Sequence, residues 1–70
     1  MITERLILCR KSAKKTQKEL SVFLEIAERA YQNYEYGKRE PNNDTLIKLC
    51  NYFNVSADYL LGLSDDPTRH

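Results

Sequence analysis

Long apolar runs are missing from this 70-residue chain: the longest is Leu6-Ile7-Leu8-Cys9, against the roughly 20 residues that a bilayer-crossing helix needs. No basic stretch leads into an apolar one, as a secretory leader requires. The expectation is a soluble, untargeted cytoplasmic protein with no membrane partner. Glycine and proline number two each, so breakpoints are few and no glycine-rich phosphate loop can be built. The only histidine is the terminal His70, and Cys9 and Cys50 have neither a second cysteine pair nor a neighbouring His. That excludes a zinc-type ligand set and leaves no thiol with a base beside it. Two packed, reduced thiols are expected, with no metal, no cofactor, no small-molecule substrate and no enzymatic chemistry.

Charge of one sign is also lacking, since the formal net charge is only +1. This argues against a purely electrostatic nucleic-acid binder, yet the charges are unevenly placed. Residues 1–40 carry nine Lys and Arg against six Asp and Glu, whereas residues 41–70 carry two against four. Arg10, Lys11, Lys14, Lys15 and Lys18 form a run without an acid, usually no more than a solvated face. A hydrophobic fraction of 41% with 30% charge is that of a folded chain. At this length folding hides only about 60% of the unfolded surface, so one small core is the most it can build.

Helical spacing runs through the sequence. Leu6, Cys9 and Ala13 make a stripe over residues 3–13, with Thr3 as its N-cap. Thr16-Gln17-Lys18-Glu19 reads as a capping box that starts a second helix at Gln17, with Leu20, Phe23 and Leu24 inward and an end near Glu25. A third helix over 27–36 packs through Ile26, Ala30, Tyr31 and Tyr34, and Gly37 and Pro41 stop it. Asn42, Asn43 or Asp44 caps a fourth helix with the stripe Leu46, Leu49, Cys50 and Phe53. Ser56 caps a short fifth helix through Tyr59, Leu60 and Leu61, which Gly62 closes. Five short helices and no alternating strand segment predict a compact all-α domain over 1–62, with 63–70 a frayed, flexible tail or linker start.

Two short helices about three residues apart, the second ending in glycine, have the shape of a helix-turn-helix. The span TQKELSVFLEIAERAYQNYEYGKREP, residues 16–41, resembles without a gap the helix-turn-helix of the phage repressor and Cro family, the Xre-type transcriptional regulators. The resemblance is carried by Thr16-Gln17, Glu19-Leu20, Leu24, Ile26, Tyr31 and Tyr34, then by Glu35-x-Gly37-Lys38 and Pro41. It continues in Thr45-Leu46, Leu49 through Phe53, Val55-Ser56 and Leu60, so it covers about residues 3–62 and implies a lambda-repressor-like five-helix fold. Ser21 keeps the family's small residue where the second helix meets the third. Two positions depart from the pattern. Glu25 replaces the usual Gly, which forces either a positive φ or a different turn. Ala27 replaces the usual Ser or Thr cap, which removes about 1 kcal/mol of capping.

Helical geometry puts Glu28, Arg29, Gln32, Asn33 and Tyr36 opposite the core side of the third helix. Such side chains suit the major groove, where Arg forks to guanine, Asn or Gln to adenine, and a carboxylate accepts from cytosine. The resemblance places Ala27, Glu28, Arg29 and Asn33 at base edges, with Gln32 beside them. Glu28 would repel phosphate, and stands as a cytosine reader, an element against wrong sites or a partner for Arg29. Gln17, Lys14, Lys15, Lys18, Tyr36, Lys38, Arg39 and Asn43 are the candidate phosphate contacts. Arg10 and Glu35 match the family's inward structural ion pair. Tyr31 and Tyr34 belong to the core stripe rather than to a stacking surface. Tyr52 and Tyr59 lie where the family often dimerises, and Tyr59, Leu61 and Leu63 form an apolar cluster suited to a dimer contact or to cover by a returning tail. The implied function is a sequence-specific transcriptional regulator, a repressor, that binds a double-stranded DNA operator as a homodimer. The alternative is a protein-interaction module of the same fold, antitoxin-like or regulatory.

Overall fold

The structure, a computed structural model, describes residues 2–69 as five helices with no strand among them: α1 (Ile2–Ser12), α2 (Gln17–Leu24), α3 (Glu28–Glu35), α4 (Asn43–Phe53) and α5 (Ala57–Leu60). The all-α, five-helix arrangement expected from the sequence is the one observed. Helix starts follow side-chain oxygens. The Thr16 hydroxyl accepts from the Glu19 amide and the Glu19 carboxylate from the Thr16 amide, both at 3.0 Å, completing the capping box. Asn42 caps α4 through the Thr45 amide at 2.9 Å, and Ser56 caps α5 through the Tyr59 amide at 3.0 Å. Thr3 is not a cap. It lies inside the first turn of α1, which begins a residue earlier.

Helix ends share one device. After each helix a residue with positive φ turns the chain so that the next amide reaches back to a carbonyl of the last turn. Lys15 bonds Arg10, Ile26 bonds Ser21, Lys38 bonds Asn33, Val55 bonds Cys50 and Leu63 bonds Asp58, at 2.8 to 3.1 Å. The positive-φ residues are Lys14, Glu25, Gly37, Asn54 and Gly62. Glu25 thus takes the strained alternative, with φ 58°. Lys14 adopts φ 59° with nothing in the sequence to mark it.

The core is assembled from every helix. Leu6, Leu20, Tyr31, Leu49 and Leu60 are wholly buried, one from each of α1 to α5 in order, and burying a Leu of this kind is worth roughly 1.5–3 kcal/mol. Ile26, Tyr34, Leu46 and Phe53 pack around them. Ser21 is buried, and its hydroxyl donates to the Lys18 carbonyl at 2.7 Å, which leaves room for α3 against α2. Cys9 and Cys50 are free and buried, and burial pushes both thiols up. Phe23, expected inward, is 41% exposed; its ring leans on Tyr52 of α4 at 4.5 Å. No helix among the described residues is long and apolar enough to cross a membrane.

The stretch after Gly62 has no helix, but the described part of it is held rather than frayed. Arg5 donates to the carbonyls of Tyr59 and Ser64 at 3.1 and 2.9 Å and pairs with Asp65 at 2.7 Å, with its guanidinium 4.3 Å over the Tyr59 ring. The Pro67 carbonyl accepts from the Ser56 amide, and Arg69 donates to Asn51.

Placing a non-glycine residue in the left-handed region costs about 1 kcal/mol. Glu25→Gly and Lys14→Gly are therefore expected each to stabilise the fold by up to about that amount, less glycine's larger entropy when unfolded. Urea unfolding midpoints measure this, and a lowered midpoint for Glu25→Gly would mean its side chain does something the backbone does not reveal.

Candidate nucleic-acid interface

Helix α3 has only eight residues and no side-chain cap at Ala27, so it does not persist without tertiary support. Glu28 in its first turn partly replaces the missing cap, because a carboxylate there faces the positive end of the helix dipole. Tyr31 and Glu35, one turn apart, are buried, and Ala30 and Tyr34 are half-buried beside them. Glu28 and Arg29 are exposed, Gln32 and Asn33 half-buried, and Tyr36 exposed just past the end.

The buried side is anchored by a charged joint. The Arg10 Nε and Nη2 atoms donate to the two Glu35 oxygens at 2.6 and 3.1 Å. The Tyr31 hydroxyl donates to Glu35 Oε2 at 2.6 Å, and Gln17 Nε2 donates to Oε1 at 3.1 Å. Arg10 Nη1 also reaches the Lys15 carbonyl at 3.1 Å. One carboxylate thereby collects donors from α1, α2 and α3, and the same guanidinium holds the turn before α2. The pair is more deeply placed than a half-buried one, with side-chain exposures of 14% for Arg10 and 2% for Glu35. Burial would raise the Glu35 carboxyl, but the hydrogen bonds from Arg10, Tyr31 and Gln17 outweigh it and hold the group below its ordinary value. Burial and the adjacent Glu35 push the Tyr31 phenol upward, so it stays a donor. The hydrogen bond to Glu35 raises Arg10 further.

The other expected site residues are distributed around this joint. Backbone amides of Lys38 and Arg39 both reach the Asn33 carbonyl, at 3.0 and 3.3 Å, which sets the two exposed cations against the C-terminal end of α3. Lys14, Lys15 and Lys18 are exposed around the turn into α2, with Lys15 in a loose 3.9 Å pair with Glu19. Asn43 is exposed in the first turn of α4. Gln17 differs from expectation: its amide nitrogen serves Glu35, and its oxygen accepts from Gln32 Nε2 at 3.2 Å. Neither Glu28 nor Arg29 has an ion-pair partner among the described residues, so the idea of Glu28 as a mate for Arg29 is not realised. Tyr59, Leu61 and Leu63 do not form one open patch. Tyr59 lies beneath Arg5, Leu61 packs on the core, and Leu63 is 75% exposed.

Sequence reasoning overlooked the Tyr31 hydroxyl and the Arg5 clamp. The four-residue spacing of Tyr31 and Glu35 on one helix is a usable signal for the first. The second joins residues 54 to 60 positions apart, which no local pattern marks.

The Helix-turn-helix family model matches residues 6–60. The chain is 49% identical over 59 residues to the HTH-type transcriptional regulator ImmR of Bacillus subtilis (strain 168), covering 84% of this chain and 46% of that protein. It is 48% identical over 61 residues to the uncharacterized HTH-type transcriptional regulator YqaE of the same strain, covering 87% and 53%. With the cryptic phage CTXphi transcriptional repressor RstR of Vibrio cholerae serotype O1 it shares 34% over 61 residues, covering 87% and 54%. The chain spans about half the length of these relatives. Its fold matches a crystal structure of the P22 c2 repressor protein in complex with synthetic operator 9T in the presence of Tl+. The TM-score is 0.82 and the identity 30%, over 91% of this chain and 97% of that one.

Removing the cation while leaving the buried carboxylate is expensive: Arg10→Met is expected to cost about 3 kcal/mol or more, read as a lowered urea midpoint. Folding lowers the Glu35 pKa, so the folded state binds that proton less readily than the unfolded one. Its stabilising contribution is complete above the unfolded value near 4.5 and is lost as pH falls through the lower folded value. Glu35→Gln should lack that part of the acid loss, which unfolding at pH 7, 4.5 and 3 would measure.

Proposed function

This chain belongs to the helix-turn-helix family of phage-repressor and Xre type, and from that premise we propose that it is a sequence-specific regulator of double-stranded DNA, a repressor that occupies an operator. The carrying observation is the two-sided α3, held from behind by Arg10 and Glu35 while Glu28, Arg29, Gln32 and Asn33 stay accessible. A helix of this kind fits the major groove, where Arg29 forks to guanine and Asn33 pairs with adenine. Glu28 accepts from cytosine or rejects sites that bring a phosphate near it. Lys38 and Arg39 beside the end of α3, and Lys14, Lys15 and Lys18 beside α2, supply phosphate contacts, with Tyr36 and Asn43 at the margins. Support comes from the similarity to a repressor seen with its operator and to a phage repressor.

In this reading residues 1–62 form the DNA-binding unit, and residues 64–69 lie back on it through Arg5, Ser56 and Asn51. Two copies bind as a homodimer to half-sites about 34 Å apart, with the exposed Leu63 at the contact.

A second reading, a protein-interaction module of the same fold, is favoured by the exposure of Val22 and Phe23 on α2, at 67% and 41%. Salt separates the two. DNA binding through phosphates weakens steeply as salt rises, and Lys38→Ala should lower the slope of log K against log salt by roughly one unit. No affinity for mixed duplex at low salt would leave the protein-interaction reading. Selection of duplexes from a random pool would give the operator and its symmetry. Arg29→Ala is expected to relax one position, at about 1–3 kcal/mol. An unchanged selected sequence for both Arg29→Ala and Asn33→Ala would refute this reading face.

A further inference from the structure

Apolar side chains stay in the open where α1, α2 and α4 meet. Leu8, Val22 and Phe23 are 49%, 67% and 41% exposed. The Phe23 ring lies 4.5 Å from that of Tyr52, which meets Phe53 edge-on at 5.1 Å, so three rings from α2 and α4 stand in a row. Tyr52 is the wall shared by two open hollows of about 350 and 400 Å³. Leu8 and Phe53 line the first, Val22 and Phe23 the second, and the two join across Tyr52 into one groove. The turn from α1 to α2 runs along it, with Ser12 and Ala13 lining one hollow and Thr16 and Lys18 the other. Lys14 and Lys15, both exposed, come between these in the chain, and exposed Lys11 comes just before them. Glu19 is the one acid lining either hollow. Its carboxylate is already taken by the Thr16 amide at 3.0 Å and by Lys15 at 3.9 Å. An aromatic floor thus lies beside a basic edge.

We propose that this groove docks an amphipathic helix of a partner protein, its apolar stripe on Leu8, Phe23 and Tyr52 and its flanking Asp and Glu against Lys11, Lys14, Lys15 and Lys18. The inference rests on the protein-interaction reading, to which it adds the chemistry of the partner, and it does not require the DNA reading to fail. No residue of α3 lines the groove. The ring row spans about 10 Å, close to two turns of helix at about 5.4 Å each, which suits apolar side chains at i, i+4 and i+7. Aromatic side chains are the type that anchors such contacts. The basic edge selects an acidic partner and disfavours a second copy of this chain seated through the same groove, because two basic edges would then face each other. Lys14, Lys15 and Lys18 are also the phosphate contacts of the DNA reading, so a docked helix and a duplex compete for them.

The probe is a fluorescently labelled peptide of about 16 residues, long enough to form a helix, built from Leu, Ala and Glu with its leucines on one face. Anisotropy titration without DNA compares it with a rearranged peptide of the same composition that has no stripe, and with a version carrying Lys in place of Glu. Both controls are expected to bind at least about tenfold more weakly. Phe23→Ser should weaken the striped peptide by about tenfold. Val22→Ser and Leu8→Ser, at more exposed positions, should each weaken it by about threefold and serve should the Phe23 variant not fold. Lys14→Glu with Lys18→Glu should weaken it by about fivefold at low salt and less at high salt. Equal binding of the rearranged or the Lys peptide overturns the inference. Binding that survives the Leu8, Val22 and Phe23 variants overturns this groove and leaves the protein-interaction reading, whereas binding of none of the peptides overturns the inference and counts against that reading too. Phe23-dependent self-association of the chain in sedimentation, or Phe23-dependent binding to phosphatidylglycerol vesicles in place of the peptide, would assign the groove to another occupant and overturn the inference. Simultaneous binding of peptide and duplex at undiminished affinity overturns the shared use of the lysines.

Discussion

The bond between Arg10 and Glu35 is the constraint on which the arrangement of the first three helices depends. Among the described residues the buried apolar side chains are few, with one wholly buried large side chain from each helix, too few to fix how a short helix is rotated about its own axis. Apolar contacts are non-directional and would tolerate several rotations of α3. A bidentate guanidinium–carboxylate contact tolerates few, because both oxygens and the fork must align. The joint also gathers Tyr31, Gln17 and the Lys15 carbonyl, so a shift in any of these helices breaks several bonds together. Buried ion pairs often add little net stability over apolar replacements. What this one contributes is orientation.

That orientation has a consequence on the opposite side of α3. The helix is uncapped by Ala27 and ends at Glu35, two residues before the positive-φ Gly37, and the turn before it is closed by the Ser21 carbonyl accepting from Ile26. Its direction is therefore set by α2 and its rotation by Glu35. Gln17 connects the two, since it starts α2, donates to Glu35 and accepts from Gln32. The buried pair and the exposed polar side are thus one hydrogen-bonded system rather than separate core and surface.

Most of the fold was legible because the signals were local. Thr16, Asn42 and Ser56 mark helix starts through their own oxygens, and Gly37 and Gly62 mark ends where φ is positive. Lys14 carries no such mark, because its left-handed conformation is imposed by closure of the turn and not by its side chain. Phe23 fits the α2 stripe by spacing, yet α4 brings Tyr52 alongside it instead of a full cover. Thr3 looked like a cap because the stripe begins after it, but α1 starts one residue earlier. At the site, the outer face followed from helical period alone. The engagement of Gln17 did not, since it depends on how three helices converge, and neither did the hold of Arg5 on the residues after Gly62. Both are products of tertiary structure between residues distant in sequence.

The central claim is that the outer face of α3, held in place from behind by Arg10 and Glu35, is the surface that meets the partner. Backbone amide chemical shifts followed during titration with a duplex carrying the selected site test it most directly. The account predicts the largest changes at residues 27–33, with further changes at 14–18 and 36–39 and small ones through the middle of α4. Changes concentrated on α4 and α5, or on Val22 and Phe23 with α3 unaffected, would contradict it.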